Sequence, residues 1–330
     1  MDTIIHRYII IQILILIVSL FTIVQPLYGQ NRQIILDDSL HPMSDFDLYV
    51  TDSLFIAVGQ LEFCYLFDKK TGEFLAEIDP SVDFPGFNWF PIKMEVLNSG
   101  LFFTNSGPWG FFISRNNDNV KVLGREFLAP TNFKFISDTV FAGIYTRIDG
   151  DVTISLLDSE GIKIREFEKT DFFARYAMYR LDDLFLHLYN NQLLFINPFD
   201  ANLYTYSMDG DLLEIIPLNI PQFKRIPQDI NPSVSPHQSI QDLSKMISRN
   251  SFISRSFMMN DGILLLGVID ENRARMVYYD VANQRILTTS DSGFPDNKLP
   301  AYASGSNVYL LDFENDRYVV SEYHMRFPAE

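Results

Sequence analysis

Both tryptophans of the chain stand in sequence typical of loops, where aromatic side chains often bind ligands. Trp89 lies in FPGFNWF, residues 84–90, and Trp109 lies in NSGPWG, residues 105–110. The neighbouring Gly and Pro residues favour loops over strands, and Trp is enriched at binding hot spots. We predict that Trp89 and Trp109 rim a pocket for a sugar, a peptide or a partner loop. The alternative is that both pack in the interior.

A second candidate ligand site is the pair Arg175 and Tyr176. A guanidinium next to an aromatic ring suits an anionic ligand. The alternative is that both are surface residues without a binding role.

Oxygen ligands for a metal recur in the chain at regular intervals. Calcium takes six to eight oxygen ligands, and Asp or Asn residues are also favoured in turns for backbone reasons alone. We therefore predict no cofactor, with a Ca²⁺ site as the alternative. The recurring residues are Asp52, Asn98, Asp138, Asp182, Asp183, Asn260 and Asp261.

The sequence assigns no catalytic residue. It contains no metalloprotease helix, phosphate-binding glycine loop or nucleophile elbow. The five His residues are scattered, and His187 lies in an apolar run typical of a structural histidine. Cys64 is the single cysteine, and its apolar neighbours predict a buried, inert thiol. A role other than catalysis is favoured.

The elements that would position these residues repeat along the chain. Six times a turn precedes an apolar run and a second β-rich run, with a period of about 40–50 residues that is typical of a β-propeller. The runs are apolar on both faces, as expected for strands covered on both sides. We predict one all-β domain over residues 30–330, a six-bladed β-propeller. The six runs open at Leu54, Leu101, Val140, Leu184, Ile263 and Val308.

Two departures from the repeat predict an insertion and a closure. The fourth interval is too long, so we predict a partly helical insertion over residues 221–257, with a short amphipathic helix over residues 239–248. The last repeat is incomplete, and residues 33–36 form a strand-like segment near the start of the chain. We expect this N-terminal strand to complete the last blade.

The first 29 residues have the order of a signal peptide. A short polar start precedes an apolar run over residues 8–24, and cleavage is predicted after Gly29. An uncleaved membrane anchor is the alternative. We predict a periplasmic or secreted protein with no membrane span in the mature chain. The formal net charge of −16 disfavours binding to nucleic acid.

The blade sequence resembles that of a known group of proteins. Residues 193–198 (LLFINP) and 204–210 (YTYSMDG) resemble the blade pattern of TolB-like and NHL-like six-bladed propellers, and the layout over residues 33–327 is similar to exported propellers common in Bacteroidota. The resemblance implies a binding or scaffolding protein with a protein, small-molecule or glycan partner. The alternatives are a metal-dependent hydrolase of the lactonase or esterase kind, with Ca²⁺ in the central channel, and a sugar-processing propeller.

Overall fold

The computed structural model describes most of the chain after residue 27. The described residues are 28–37, 46–59, 64–78, 91–96, 100–105, 110–114, 120–123, 132–137, 139–146, 152–158, 162–167, 185–225, 249–271, 273–289 and 298–325. The predicted signal segment lies outside them, except that the first strand begins at Tyr28.

The protein is an all-β propeller built from four-stranded antiparallel sheets, six of which are found in the described residues. Sheet 1 contains β2 (Phe46–Val50), β3 (Leu54–Gly59), β4 (Cys64–Asp68) and β5 (Phe74–Ile78). Sheet 2 contains β6 (Pro91–Val96), β7 (Gly100–Asn105), β8 (Gly110–Ser114) and β9 (Val120–Leu123). Sheet 3 contains β10 (Asn132–Ser137), β11 (Val140–Thr146), β12 (Val152–Asp158) and β13 (Lys163–Glu166).

The second half of the chain repeats the pattern until the last sheet. Sheet 4 contains β14 (Phe185–Tyr189), β15 (Gln192–Asn197), β16 (Asn202–Ser207) and β17 (Leu212–Pro217). Sheet 5 contains β18 (Ser251–Met258), β19 (Ile263–Asp270), β20 (Arg273–Asp280) and β21 (Arg285–Thr289). Sheet 6 contains β22 (Tyr302–Ser304), β23 (Asn307–Glu314), β24 (Arg317–Met325) and the N-terminal strand β1 (Tyr28–Ile35).

Successive sheets pack face to face because their second strands are apolar on both sides. In β19, Leu264 and Leu266 pack against sheet 4, whereas Ile263 and Leu265 pack against sheet 6. All four side chains are buried. Neighbouring residues of a strand point to opposite faces, so a continuous apolar run fills two interfaces at once.

The prediction of a six-bladed propeller needs correction. Apolar clusters join sheets 3 and 4, sheets 4 and 5, sheets 5 and 6, and sheets 6 and 1. Five sheets are therefore shown as a continuously packed series. For sheet 2 the described residues give the strand pairing and contacts of its first strand, β6, but not the packing of its faces. The spacing of turns reports how often a hairpin recurs, and it carries no information on face-to-face packing.

The N-terminal strand closes the last sheet. In the antiparallel β1–β24 pair, Ile34 lies opposite Val320 and Ile35 lies opposite Val319. Beyond the strand, the backbone N–H of Asp37 donates to the carbonyl oxygen of Gly72 at 3.0 Å. The same segment therefore pairs with sheet 6 and contacts the β4–β5 turn of sheet 1.

The fourth repeat was predicted one strand out of phase. The described part of the fourth run, from Phe185, belongs to β14, the first strand of its sheet, whereas the other five runs belong to second strands. The equivalent second strand is β15, which pairs with both β14 and β16. The two kinds of strand are hard to distinguish here because Phe185 and Leu186 of β14 are apolar and buried, as residues of a second strand are.

The predicted partly helical insertion is also corrected. The described residues contain no α-helix; the helical element they show is a single 3₁₀ turn, Asn260–Gly262. β18 occupies residues 251–258, so the last part of the predicted insertion is a strand. The predicted helix over residues 239–248 lies outside the described residues. Nowhere in the described chain is a helix long and apolar enough to cross a membrane.

Candidate binding channel

The first strands of all the sheets meet around a central cavity. Its volume is about 400 Å³, and residues of β2, β6, β10, β14, β18 and β22 line it, together with Ala301. These inner strands follow one another around the ring, and each wall residue is held by a strand hydrogen-bonded to a rigid sheet. The cavity is therefore the mouth or interior of the propeller channel.

Three aromatic side chains on consecutive inner strands form one wall. Tyr302 on β22 lies between Phe257 on β18 and Tyr49 on β2, with ring centroids 5.8 Å and 6.1 Å away. We call these three residues the aromatic wall. Burial raises the pKa of Tyr49 and that of Tyr302, so both phenols are uncharged at neutral pH.

Two further inner strands of the ring carry a charge pair. Glu95 on β6 forms an ion pair with Lys134 on β10. The second carboxylate oxygen of Glu95 accepts a hydrogen bond from the backbone N–H of Phe135 at 2.8 Å. The negative charge of Glu95 contributes, after burial, to the raised pKa of Tyr302.

A second ion pair spans one sheet of the ring. Arg255 Nη1 on β18 lies 3.0 Å from Asp47 Oδ1 on β2. In the ring, β22 lies between these two strands, and it is only three residues long. The Arg255–Asp47 pair therefore joins β18 to β2 across β22, the shortest of the inner strands.

His187 and Ser256 complete the polar lining. His187 Nε2 on β14 lies 2.8 Å from Ser256 Oγ on β18, and both side chains are buried. The hydrogen bond joins neighbouring sheets 4 and 5 at the cavity. The sequence favoured a structural role for His187, and the bond to Ser256 gives it a polar partner there.

The structure tests few of the predicted site residues. Trp89, Trp109, Arg175 and Tyr176 lie outside the described residues, so their binding roles stay predictions. Of the turn residues considered for calcium, Asp52 and Asn260 are exposed. The part of the chain that the structure describes contains no cluster of three or more His, Cys, Asp or Glu suited to a metal ion.

The residues that line the channel are not among the site residues predicted from the sequence. The repeats are recognisable by their apolar second strands, the fourth repeat excepted, whereas the lining belongs to the first strands. A signal was present, because Asp47 precedes an alternation of half-buried and buried residues in β2 and Lys134 stands between buried Phe133 and Phe135. A charged residue within such a strand indicates that one side of the strand contacts solvent.

Comparisons with known proteins give matches among solved structures alone. No family model and no curated protein matches the chain. The WD40 propeller domain of Doa1 matches with 14% identity and a TM-score of 0.44, over 72% of this chain and 64% of that one. The designed protein Ika8 matches with 12% identity and a TM-score of 0.40, over 85% of this chain and 71% of that one.

A third match comes from Bacteroides fragilis, to a protein whose name describes it as exported. Its identity is 11% and its TM-score 0.48, and the match covers 92% of this chain and 96% of that one. Because this chain spans 64% of the length of the Doa1 domain, that match is partial.

Proposed function

We propose that this protein is an exported binding module that takes a small ligand into the central channel. The observation that carries the proposal is the cavity of about 400 Å³ lined by both aromatic and charged side chains. Ligand pockets have volumes of roughly 300–1,000 Å³ and combine apolar walls with a few placed polar groups. The fold supports a binding or scaffolding role but does not identify a ligand.

A cavity-filling variant tests the channel. Ala301 lines the cavity and is half-buried, so Ala301→Phe places a ring where a ligand would lie. Saturation-transfer NMR with a library of small polar fragments should give hits for the unsubstituted protein that are lost in this variant. The matched control is Ala76→Phe on the outer strand β5, where Ala76 is also half-buried. Absence of hits, or hits that survive Ala301→Phe, would refute the proposal.

The export proposal has its own test. The apolar run over residues 8–24 and the resemblance to exported TolB-like propellers support a periplasmic or secreted location. N-terminal sequencing of the mature protein is expected to begin at Gln30, which leaves most of β1 intact. A mature chain that retains residues 1–29 would instead support the membrane-anchor alternative.

A further inference from the structure

We propose that the channel ligand is a neutral carbohydrate of one or two sugar rings. This inference rests on the proposed function of the channel and adds the chemical class of the ligand. It follows from three features of the cavity: the aromatic wall, the internal pairing of its charges and its size.

The aromatic wall suits the faces of a sugar ring. Tyr302 has an aromatic neighbour on each side, Phe257 and Tyr49, whose ring planes are inclined to its own by 65° and 54°. The three tilted rings line consecutive strands of the cavity. A pyranose presents C–H groups on its faces and hydroxyl groups around its edge. Aromatic rings provide rigid area for the faces and, in tyrosine, a polar end for the hydroxyls.

The charges of the cavity are paired with one another, which favours an uncharged ligand. Glu95 pairs with Lys134, and Asp47 pairs with Arg255. An ionic ligand would compete with one of these pairs for its partner, and separating a partly buried pair is costly. A hydroxyl group can donate to a carboxylate or accept from a cation while both pairs stay intact. Hydrogen bonds to charged groups are the stronger kind.

Polar groups border the aromatic wall, as a ring with apolar faces and polar edges requires. Glu95 and Lys134 lie on β6 and β10, whereas the aromatic wall lies on β18, β22 and β2. The backbone N–H of Met94 on β6 donates to the phenol oxygen of Tyr49 at 3.2 Å, so the strand that carries Glu95 contacts the aromatic wall. The Arg255–Asp47 pair joins two strands of the wall itself. A volume of about 400 Å³ is at the low end for ligand sites, which limits the ligand to one or two rings.

The experiment compares neutral and charged probes of similar size. Glucose, galactose, mannose, maltose and cellobiose form the neutral panel; glucuronate, glucosamine and free amino acids form the charged panel. Binding is measured by saturation-transfer NMR and by isothermal titration calorimetry on the mature protein. We expect binding within the neutral panel, with transfer from aromatic protons to the sugar C–H groups, and weaker or no binding within the charged panel.

Substitutions of Tyr302 and Glu95 connect binding to the aromatic wall and to the charge pairs of the channel. Tyr302→Ala should weaken sugar binding about tenfold, whereas Tyr302→Phe should retain most of the affinity. The matched control is Phe313→Ala, because Phe313 belongs to the same sheet but is 50% exposed outside the cavity. Glu95→Gln leaves Lys134 without its carboxylate, so this variant should gain affinity for glucuronate relative to glucose.

The outcomes separate this inference from the proposed function. Binding of charged probes alone, or equal losses in Tyr302→Ala and Phe313→Ala, would overturn the carbohydrate assignment while channel binding stands. An unchanged preference in Glu95→Gln would also count against it, because charge pairing would not set specificity. If neither panel binds and the fragment library gives no channel hits, both proposals fail.

Discussion

The Gly72→Ala variant tests whether β1 lies against the β4–β5 turn, where the ring closes. Gly72 has a φ of +78°, and a Cβ added there would lie 2.2 Å from the carbonyl oxygen of Ile35 and 2.9 Å from Cγ2 of Ile34. Both contacts belong to β1, the strand that completes sheet 6. The side chain would therefore force the β4–β5 turn away from the closing strand.

Two costs add in this variant. A left-handed φ costs an alanine about 1–2 kcal/mol, and overpacking against a backbone atom that cannot rotate away costs about 1–3 kcal/mol more. We expect Gly72→Ala to lower the free energy of unfolding by about 2–5 kcal/mol. Gly305 supplies the matched control, since its φ is +63° and the nearest atom to an added Cβ is 3.7 Å away. Gly305→Ala should show the backbone cost alone.

Urea denaturation followed by tyrosine fluorescence gives both values under the same conditions. The difference between the two variants isolates the clash with β1. Equal losses of stability in Gly72→Ala and Gly305→Ala would refute the reasoning, because they would show that β1 does not lie against the β4–β5 turn.

Three further outcomes follow from buried side chains. Burial raises the pKa of Tyr279 and that of Tyr309 to about 12, so the folded state resists phenolate formation. The free energy of unfolding should therefore fall by about 1 kcal/mol per pH unit for each tyrosine between pH 10 and 12, and urea titrations that show no fall there would contradict it. Burial also raises the pKa of the Cys64 thiol, so iodoacetamide should label Cys64 in concentrated urea but not in the native protein; rapid native labelling would refute this. Leu264→Ala, in the core, should cost about 3 kcal/mol, whereas Leu213→Ala, at a site 51% exposed, should cost under about 0.5 kcal/mol; similar midpoints in urea would count against the packing.

The repeating architecture could be predicted because its signals are local. A turn followed by an apolar run is present in the sequence itself, as in β19, where the run is covered by sheets on both faces. The strand-like segment over residues 33–36 also predicts that an N-terminal strand completes the last blade, and the pairing of β1 with β24 confirms it.

The candidate site could not be predicted, because its contacts join distant parts of the chain. Asp47 and Arg255 are 208 residues apart, and Glu95 and Lys134 are 39 residues apart. A charged residue can stand out within its own strand, but its partner lies on another strand. The ring alone brings them together, and spacing along the sequence does not show which carboxylate faces which cation.

The pairing of β1 with β24 has a consequence for biogenesis. These two strands enclose nearly the whole described chain, so their pairing is the contact of longest range in the fold, and such contacts form slowly. Until β24 has been synthesised, sheet 6 has no partner to offer β1, and the early strand stays available to other chains.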